Sequence, residues 1–246
     1  MNQSIDAVVL AAGKGTRMKS DLPKVLHEIA GRPLLDHVLD TAEAAGIDHT
    51  VVVVGHKADL VEEKCGRQGL DFVLQEPQLG TGHAVQVAVP ALRRGGFTVV
   101  LAGDVPLLTV ATLRRLVAGT MAGNAAAAIL TCVVPDAGAY GRIVKDGAGH
   151  VQKIVEFADA SDQEKAIGEY NTGVICFRTD LMIEALAQLK TDNNQGEYYL
   201  TDTIGWFVAN GHAVDAVSTT DPDEVVGINT VDQLAEAAAL LEKRGG

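Results

Sequence analysis

The chain has 246 residues, 47% of them apolar, and 20 basic against 32 acidic side chains give a formal net charge of −12. That length is enough for one large domain with a full core, and the composition excludes a disordered chain. A field of this sign repels nucleic acids and anionic membranes, so any phosphate site has to concentrate its cations locally.

Ile5–Leu10, apolar after Asp6, reads as a buried parallel strand. It leads into Leu10-Ala11-Ala12-Gly13-Lys14-Gly15-Thr16-Arg17-Met18, with Pro23-Lys24-Val25-Leu26 behind. Gly13 and Gly15 let the backbone approach a ligand and turn its N–H groups toward phosphate oxygens. Lys14, Arg17 and Lys24 add charge that backbone dipoles lack. The spacing is not that of a P-loop, and Met18 stands where G-x-G-x-x-G would need its third glycine. Two glycines after a strand also fit a plain strand-to-loop turn.

Helical spacing at Leu34–Ala45, Ala58–Cys65 and 84–92 alternates with strand-like runs at 50–54, 72–75 and Phe97–Ala102. The alternation predicts an α/β fold with a doubly wound, Rossmann-like sheet. Ligands on such sheets sit beyond the carboxyl ends of the strands. The opening loop, Gln75 and Gly103-Asp104 all follow strand ends, so one crevice is expected to hold them. Further strands are predicted at 126–133, 151–157, 172–177 and 213–217, with helices at 109–122, 180–190, 199–210 and 231–243.

Asp104 lies in Gly103-Asp104-Val105-Pro106, a carboxylate in a Pro-stiffened turn. It suits Mg²⁺, which takes hard oxygens and often only one or two protein groups beside phosphates; capping of the helix near Thr109 is the alternative. In Gln75-Glu76-Pro77-Gln78-Leu79-Gly80-Thr81-Gly82-His83-Ala84, an amide can serve both a donor and an acceptor on a pyrimidine edge. Gly80 can bring an N–H to a base oxygen, and Thr81 can cap the next helix. Glu156 and Asn171 offer a carboxylate and an amide to sugar hydroxyls, and Gly141 in Tyr140-Gly141-Arg142 offers a backbone N–H; each alone also reads as a satisfied surface polar group. Asn229 in Gly227-Ile228-Asn229 alone reads as a turn residue. Cys65, Cys132 and Cys176 show no C-x-x-C, and the seven histidines show no metal-ligand spacing, which fits reduced, packed thiols rather than a disulfide frame or zinc. Neither a signal pattern nor a membrane-length apolar stretch is present in the sequence.

Taken together, L-A-A-G-K-G-T-R-M, D-L-P-K-V-L-H, Q-L-G-T-G-H-A, G-D-V-P-L, Y-G-R-I, I-V-E, N-T-G, Q-G-E-Y-Y-L-T-D and G-I-N stand in one order. They resemble the sugar-1-phosphate nucleotidylyltransferases. Within these they are similar to the uridylyltransferase domain of the bifunctional UDP-N-acetylglucosamine pyrophosphorylase and glucosamine-1-phosphate N-acetyltransferase family. The resemblance implies a mixed sheet of the nucleotide-diphospho-sugar transferase type, with a nucleotidylyltransferase domain over 1–229 and a C-terminal helix and tail over 230–246. Leu10, Ala11, Ala12, Gly13, Gln75, Gly80, Thr81 and Gly103 match nucleotide-binding positions. Arg17 and Lys24 match the catalytic cations on the triphosphate. Gly141, Glu156 and Asn171 match sugar-binding positions, and Asp104 and Asn229 match the Mg²⁺ ligands. The implied partners are UTP and a sugar 1-phosphate, with no nucleic acid and no membrane.

The implied reaction makes UDP-N-acetylglucosamine and pyrophosphate in the cytoplasm. Two departures bear on the sugar: Ala102 stands where the family commonly has Tyr, and Ala158 where it often has Lys. The sequence holds no hexapeptide repeats, so the family's β-helix acetyltransferase domain is not expected. Neither is acetyl transfer nor the trimer that this domain builds, which leaves a monomer as the expectation. A nucleotidylyltransferase for another sugar 1-phosphate and a non-catalytic sugar-nucleotide-binding module are the competing readings.

Overall fold

The computed structural model describes residues 4–13, 15–18 and 20–245. The first half runs β1 (Ile5–Leu10), β2 (Glu28–Ile29), β3 (Arg32–Pro33), α1 (Leu34–Ala45), β4 (His49–Val54), α2 (Ala58–Cys65), β5 (Leu70–Leu74), α3 (Thr81–Ala88) and β6 (Phe97–Ala102). The second half runs α4 (Val110–Ala122), β7 (Ala127–Val133), β8 (Arg142–Lys145), β9 (Val151–Val155), α5 (Asp162–Lys165), β10 (Glu169–Arg178), α6 (Thr179–Leu186), α7 (Asp202–Ala209), β11 (Val214–Thr219) and α8 (Val231–Gly245).

Alternation along the strands builds two cores. Ala7, Val9, Val52, Val54, Val99 and Leu101 face a core with Leu35, Val38, Leu39, Val61, Leu113 and Leu116 of α1, α2 and α4. Val8, Val51, Val53 and Val100 point the other way, to Val85, Ala88, Met182, Leu186, Ile204 and Phe207 of α3, α6 and α7. A strand covered on both faces has no polar side to display, so these runs are continuously apolar. A third cluster joins α8 to Ile29, Leu34, Leu107 and Ile228 through Ala237.

Among the described residues the main sheet runs β11-β7-β10-β6-β1-β4-β5, with β8 and β9 attached to β10 as a hairpin. β1 pairs in parallel with β4 and β6, β5 with β4, and β11 with β7. β10 is antiparallel to both β6 and β7, so the sheet is mixed. This inversion matters for the site. It brings the amino end of β10, with Asn171, to the edge where β1 and β6 present their carboxyl ends. The β10 pairing slips between Asn171 and Ile175, and such a bulge re-aims side chains locally.

Several elements differ in their bounds from the sequence expectation, and four of them are informative. The helix expected over 84–92 starts at Thr81 and gives way to a tighter turn over Val89–Ala91, where Pro90 has no N–H to continue it. The helix expected over 180–190 ends at Leu186, whose carbonyl accepts from the Gln86 amide at 2.7 Å. The helix expected from 199 starts at Asp202, and the Leu200 N–H ahead of it donates to Thr81 Oγ1 (3.1 Å). The strand expected over 151–157 stops at Val155, which leaves Glu156 outside the ladder.

Candidate active site

Ala11 N donates to Val53 O (2.8 Å), so the chain leaves the sheet just past β1 and carries Ala11 and Ala12 beyond its edge. The two loop glycines are not equivalent. A Cβ on Gly13 would meet no protein atom within 4 Å, whereas Gly15 sits at φ +61° and its Cβ would lie 2.6 Å from the Cβ of Lys24. Gly15 therefore lets Lys24 lie against the loop. Lys24 opens a short turn whose Val25 and Leu26 are buried, which anchors it. Lys14 lies outside the described residues.

Gly103 N donates to Leu10 O at 3.0 Å, and a Cβ there would come within 3.2 Å of Val25. The exits of β6 and β1 thus run side by side, with Asp104 next in line. Asp104 does not cap α4; Thr109 does, its hydroxyl accepting from Thr112 N at 3.2 Å. Instead, the Asp104 carboxylate pairs with the Lys24 ammonium, both side chains being more than four-fifths buried. Asp104 O also accepts from Ile228 N (2.9 Å), which brings the Gly227-Ile228-Asn229 turn alongside.

The Asn229 side chain is oriented by its own neighbours. Its Nδ2 donates to Gly227 O (2.9 Å), and its backbone N donates to Gln233 Oε1 (2.8 Å). Oδ1 is left to accept from Arg17 Nη2 (2.8 Å) and Lys24 Nζ (3.1 Å). One carboxylate oxygen and one amide oxygen therefore converge on a single cationic centre. No cluster of three or more Cys, His, Asp or Glu able to hold a metal occurs among the described residues.

Two adjoining cavities open here. One, of about 370 Å³, is lined by Ala11, Ala12, Gly13, Lys24, Gln75 and Gly80 among others. The second, of about 250 Å³, is lined by Gly141, Glu156, Asn171, Thr201 and Asn229 among others. Leu10, Thr81, Ala102 and Asp104 border both. Of the residues expected at the site, Arg17 and Gly103 line neither chamber; Arg17 is an exposed cation on the rim and Gly103 a packing glycine behind Asp104.

In the larger chamber Gln75 is buried, and its Nε2 donates to Gly80 O at 2.9 Å. Gly80 stands at φ +106°, and a Cβ there would lie 2.6 Å from Tyr198 O. Tyr198 N donates to Leu79 O (2.8 Å), and Gly82 N to Tyr198 O (2.7 Å). Thr81 is not a cap: no side chain caps α3, and its hydroxyl accepts from Leu200 N.

In the smaller chamber Gly141 O accepts from Asn171 N (2.9 Å), and Asn171 Oδ1 accepts from Gly173 N (3.0 Å). A Cβ on Gly141 would stand 3.3 Å from the Glu156 carboxylate. Glu156 accepts from Thr201 Oγ1 at 2.9 Å. Burial pushes its carboxyl above the usual range against that hydrogen bond, and the nearby Asp202, Asp159 and Glu197 carboxylates add to the rise.

Sequence reasoning passed over three residues here. Gln78 donates to Ala12 O at 2.6 Å and so ties the two loops of the larger chamber together. Thr201 holds Glu156, and the Tyr140 hydroxyl accepts from Gly227 N at 3.2 Å. Their only signal was membership in Q-E-P-Q, Y-L-T-D and Y-G-R-I. The cysteines play no part in the site: all three are free and buried, and burial pushes the thiols of Cys65 and Cys176 up to about 12, which keeps them unreactive.

A partitioned crevice at the carboxyl edge of parallel strands, with a lysine–carboxylate pair where its chambers adjoin, fits the ligand-binding edge of an open α/β sheet. The chain belongs to the family of the MobA-like NTP transferase domain, which matches residues 7–202. It is similar to the bifunctional protein GlmU of Brevibacillus brevis, 50% identical over 98% of this chain and 52% of that one. The GlmU proteins of Geobacillus thermodenitrificans (46% identical over 97% of this chain and 52% of that one) and Bordetella petrii (50% over 98% and 52%) are also similar. The chain spans about half the length of these curated relatives. Its fold is that of a UDP-glucose pyrophosphorylase complexed with UDP-glucose (TM-score 0.77, 17% identity, 98% of this chain and 99% of that one). A structure described as a glucose-1-phosphate thymidylyltransferase of Bacillus anthracis also shares it (TM-score 0.76, 19% identity, 96% and 95%).

Proposed function

We propose that the chain is a uridylyltransferase that makes UDP-N-acetylglucosamine and pyrophosphate from UTP and N-acetylglucosamine 1-phosphate. The observation that carries the reading is that Asp104, paired with the Lys24 ammonium of the larger chamber, stands on the border of both chambers, where two bound phosphates would meet. Similarity to the GlmU proteins supports it.

The attacking group is a phosphate oxygen of the sugar phosphate, already anionic at neutral pH. It needs no general base. It forms a bond to the α-phosphorus of UTP while the bond to the β-phosphate oxygen breaks, and pyrophosphate leaves. The barrier is anion repulsion and alignment, so catalysis reduces to charge neutralisation and positioning. Lys24 and Arg17 hold the triphosphate and meet the charge on departing pyrophosphate. Leu10 to Gly13 cradle the nucleotide through the backbone. Because Gln75 Nε2 donates to Gly80 O, its Oε1 is free in this reading to accept from the uracil N3–H. Cytosine has no hydrogen on N3. Gly141, Glu156 and Asn171 receive the sugar.

Asp104 and Asn229 fit Mg²⁺, since two hard oxygens already converge on one cation, the Lys24 ammonium. When bound, Mg²⁺ supplies charge neutralisation between the reacting phosphates. The reading takes the enzyme as cytoplasmic, in keeping with its free, buried cysteines; among the described residues no helix is long and apolar enough to cross a membrane.

The test is pyrophosphate release across a grid of nucleoside triphosphates and sugar 1-phosphates, with and without EDTA. Mg²⁺-dependent turnover is expected for UTP with N-acetylglucosamine 1-phosphate. A different best pair would reassign the substrates, and no release with any pair would leave a binding module.

A further inference from the structure

Arg142 heads the fully buried side chains by size, with 2% of its surface exposed. A buried guanidinium is costly unless its charge and its donors are met. Among the described residues none of its hydrogen bonds goes to a carboxylate. Nε donates to Lys165 O (3.3 Å), Nη2 to Gly138 O (2.8 Å), and Nη1 to Tyr140 O and toward Ala137 O (3.5 Å). Its carbon centre lies 5.6 Å from the centroid of the Phe157 ring, which answers part of the charge.

Three of those four carbonyls belong to the turn that leads into Gly141. The turn borders the smaller chamber at three points. Gly141 lies against Glu156, and its carbonyl takes the N–H of Asn171. Tyr140 stacks on Tyr170 with centroids 4.7 Å apart, and its hydroxyl holds Gly227 N, two residues before Asn229. The guanidinium thus sits behind the chamber wall and sets the backbone that forms it.

We propose that Arg142 is a positioning residue for the sugar phosphate. It touches no substrate; it folds residues 137–141 around its N–H groups, so that the Gly141 backbone and the Tyr140 hydroxyl stand where the acceptor binds. A planar fork with five N–H groups reaches Lys165 on one side and the turn on the other, whereas a lysine ammonium, a point charge with three, cannot span both. The proposal rests on the uridylyltransferase reading above.

The experiment compares wild type, Arg142→Lys, Arg142→Ala and Phe157→Leu by steady-state kinetics well below each melting temperature. Arg142→Lys is expected to raise KM for the sugar 1-phosphate about tenfold or more, as the loss of charged hydrogen bonds implies, with KM for UTP held. Phe157→Leu, at a partly exposed ring, should raise the same KM about two- to fivefold. If Arg142→Ala does not fold, these two variants decide. Equal rises in both KM values would make Arg142 a stability residue only, and unchanged kinetics would make the cage idle; either overturns the proposal. Wild type inactive on every sugar phosphate would overturn the uridylyltransferase reading instead.

Discussion

At the scale of single residues, Gly15 and Lys24 form one device. An alanine at 15 adds left-handed strain of about 1–2 kcal/mol and drives its Cβ into Lys24. Gly15→Ala is therefore expected to melt a few degrees lower and to turn over more slowly. Lys24→Ala should lower kcat about 10²–10³-fold, as the loss of one donor from a preorganised site does. The double variant should be little worse than Lys24→Ala alone, because both substitutions act on the same ammonium; additive losses in kcat would sink this. Glu156 gives a second test. Its folded carboxyl titrates above the unfolded one because of burial and three neighbouring carboxylates. The stabilising effect is present below the unfolded value, about 4.3, and is lost as pH rises through the folded value. Glu156→Gln keeps an acceptor for Thr201 and removes the charge. Thermal melts should then show Gln above wild type at pH 7 but level with it at pH 4, while KM for the sugar phosphate rises. The same melting difference at both pH values would count against it.

Among the elements, α1, α2, β1 and β6 were legible to the residue, because their burial pattern is periodic and local. The short β8 and α5 were not, since four residues carry too little pattern to read. The antiparallel course of β10 was not legible either: a strand buried on both faces looks the same in either direction. The start of α4 is set by Thr109, whose hydroxyl caps the helix and also donates to Glu224 Oε2 at 2.8 Å. Thr109→Ala should cost about 1–2 kcal/mol, a loss of about 2–4 °C in Tm for each kcal/mol, with kcat and both KM values unchanged. Thr109→Ser should restore the melt. A kinetic defect would mean that the cap also shapes the site.

Across the whole molecule, α8 packs on the Gly227-Ile228-Asn229 turn proposed to hold Mg²⁺. Ala237 is 2% exposed and shares its cluster with Ile228, whose backbone N–H is held by Asp104 and whose neighbour is Asn229. Ala237→Asp buries an unpaired charge under that turn. Mg²⁺ titrations of activity should need several-fold more metal, while preference for UTP over CTP stays as in wild type, because Gln75 and Gly80 belong neither to that cluster nor to that turn. Unchanged Mg²⁺ dependence would detach α8 from the site.

The sequence by itself determined where most of the longer strands and helices lie, because their faces repeat with local periods, and which residue types stand at the strand ends that open on the crevice. It also carried the order of fragments that marks the family. The tertiary structure alone decided which of those residues meet. Lys24 reaches Asp104 over 80 positions and Asn229 over 205; Tyr140 reaches Gly227 over 87. Contacts of that span depend on strand order, on the inversion of β10 and on glycines that allow close approach. Burial periodicity encodes which face of an element is inside, and it carries no information about which other element lies opposite.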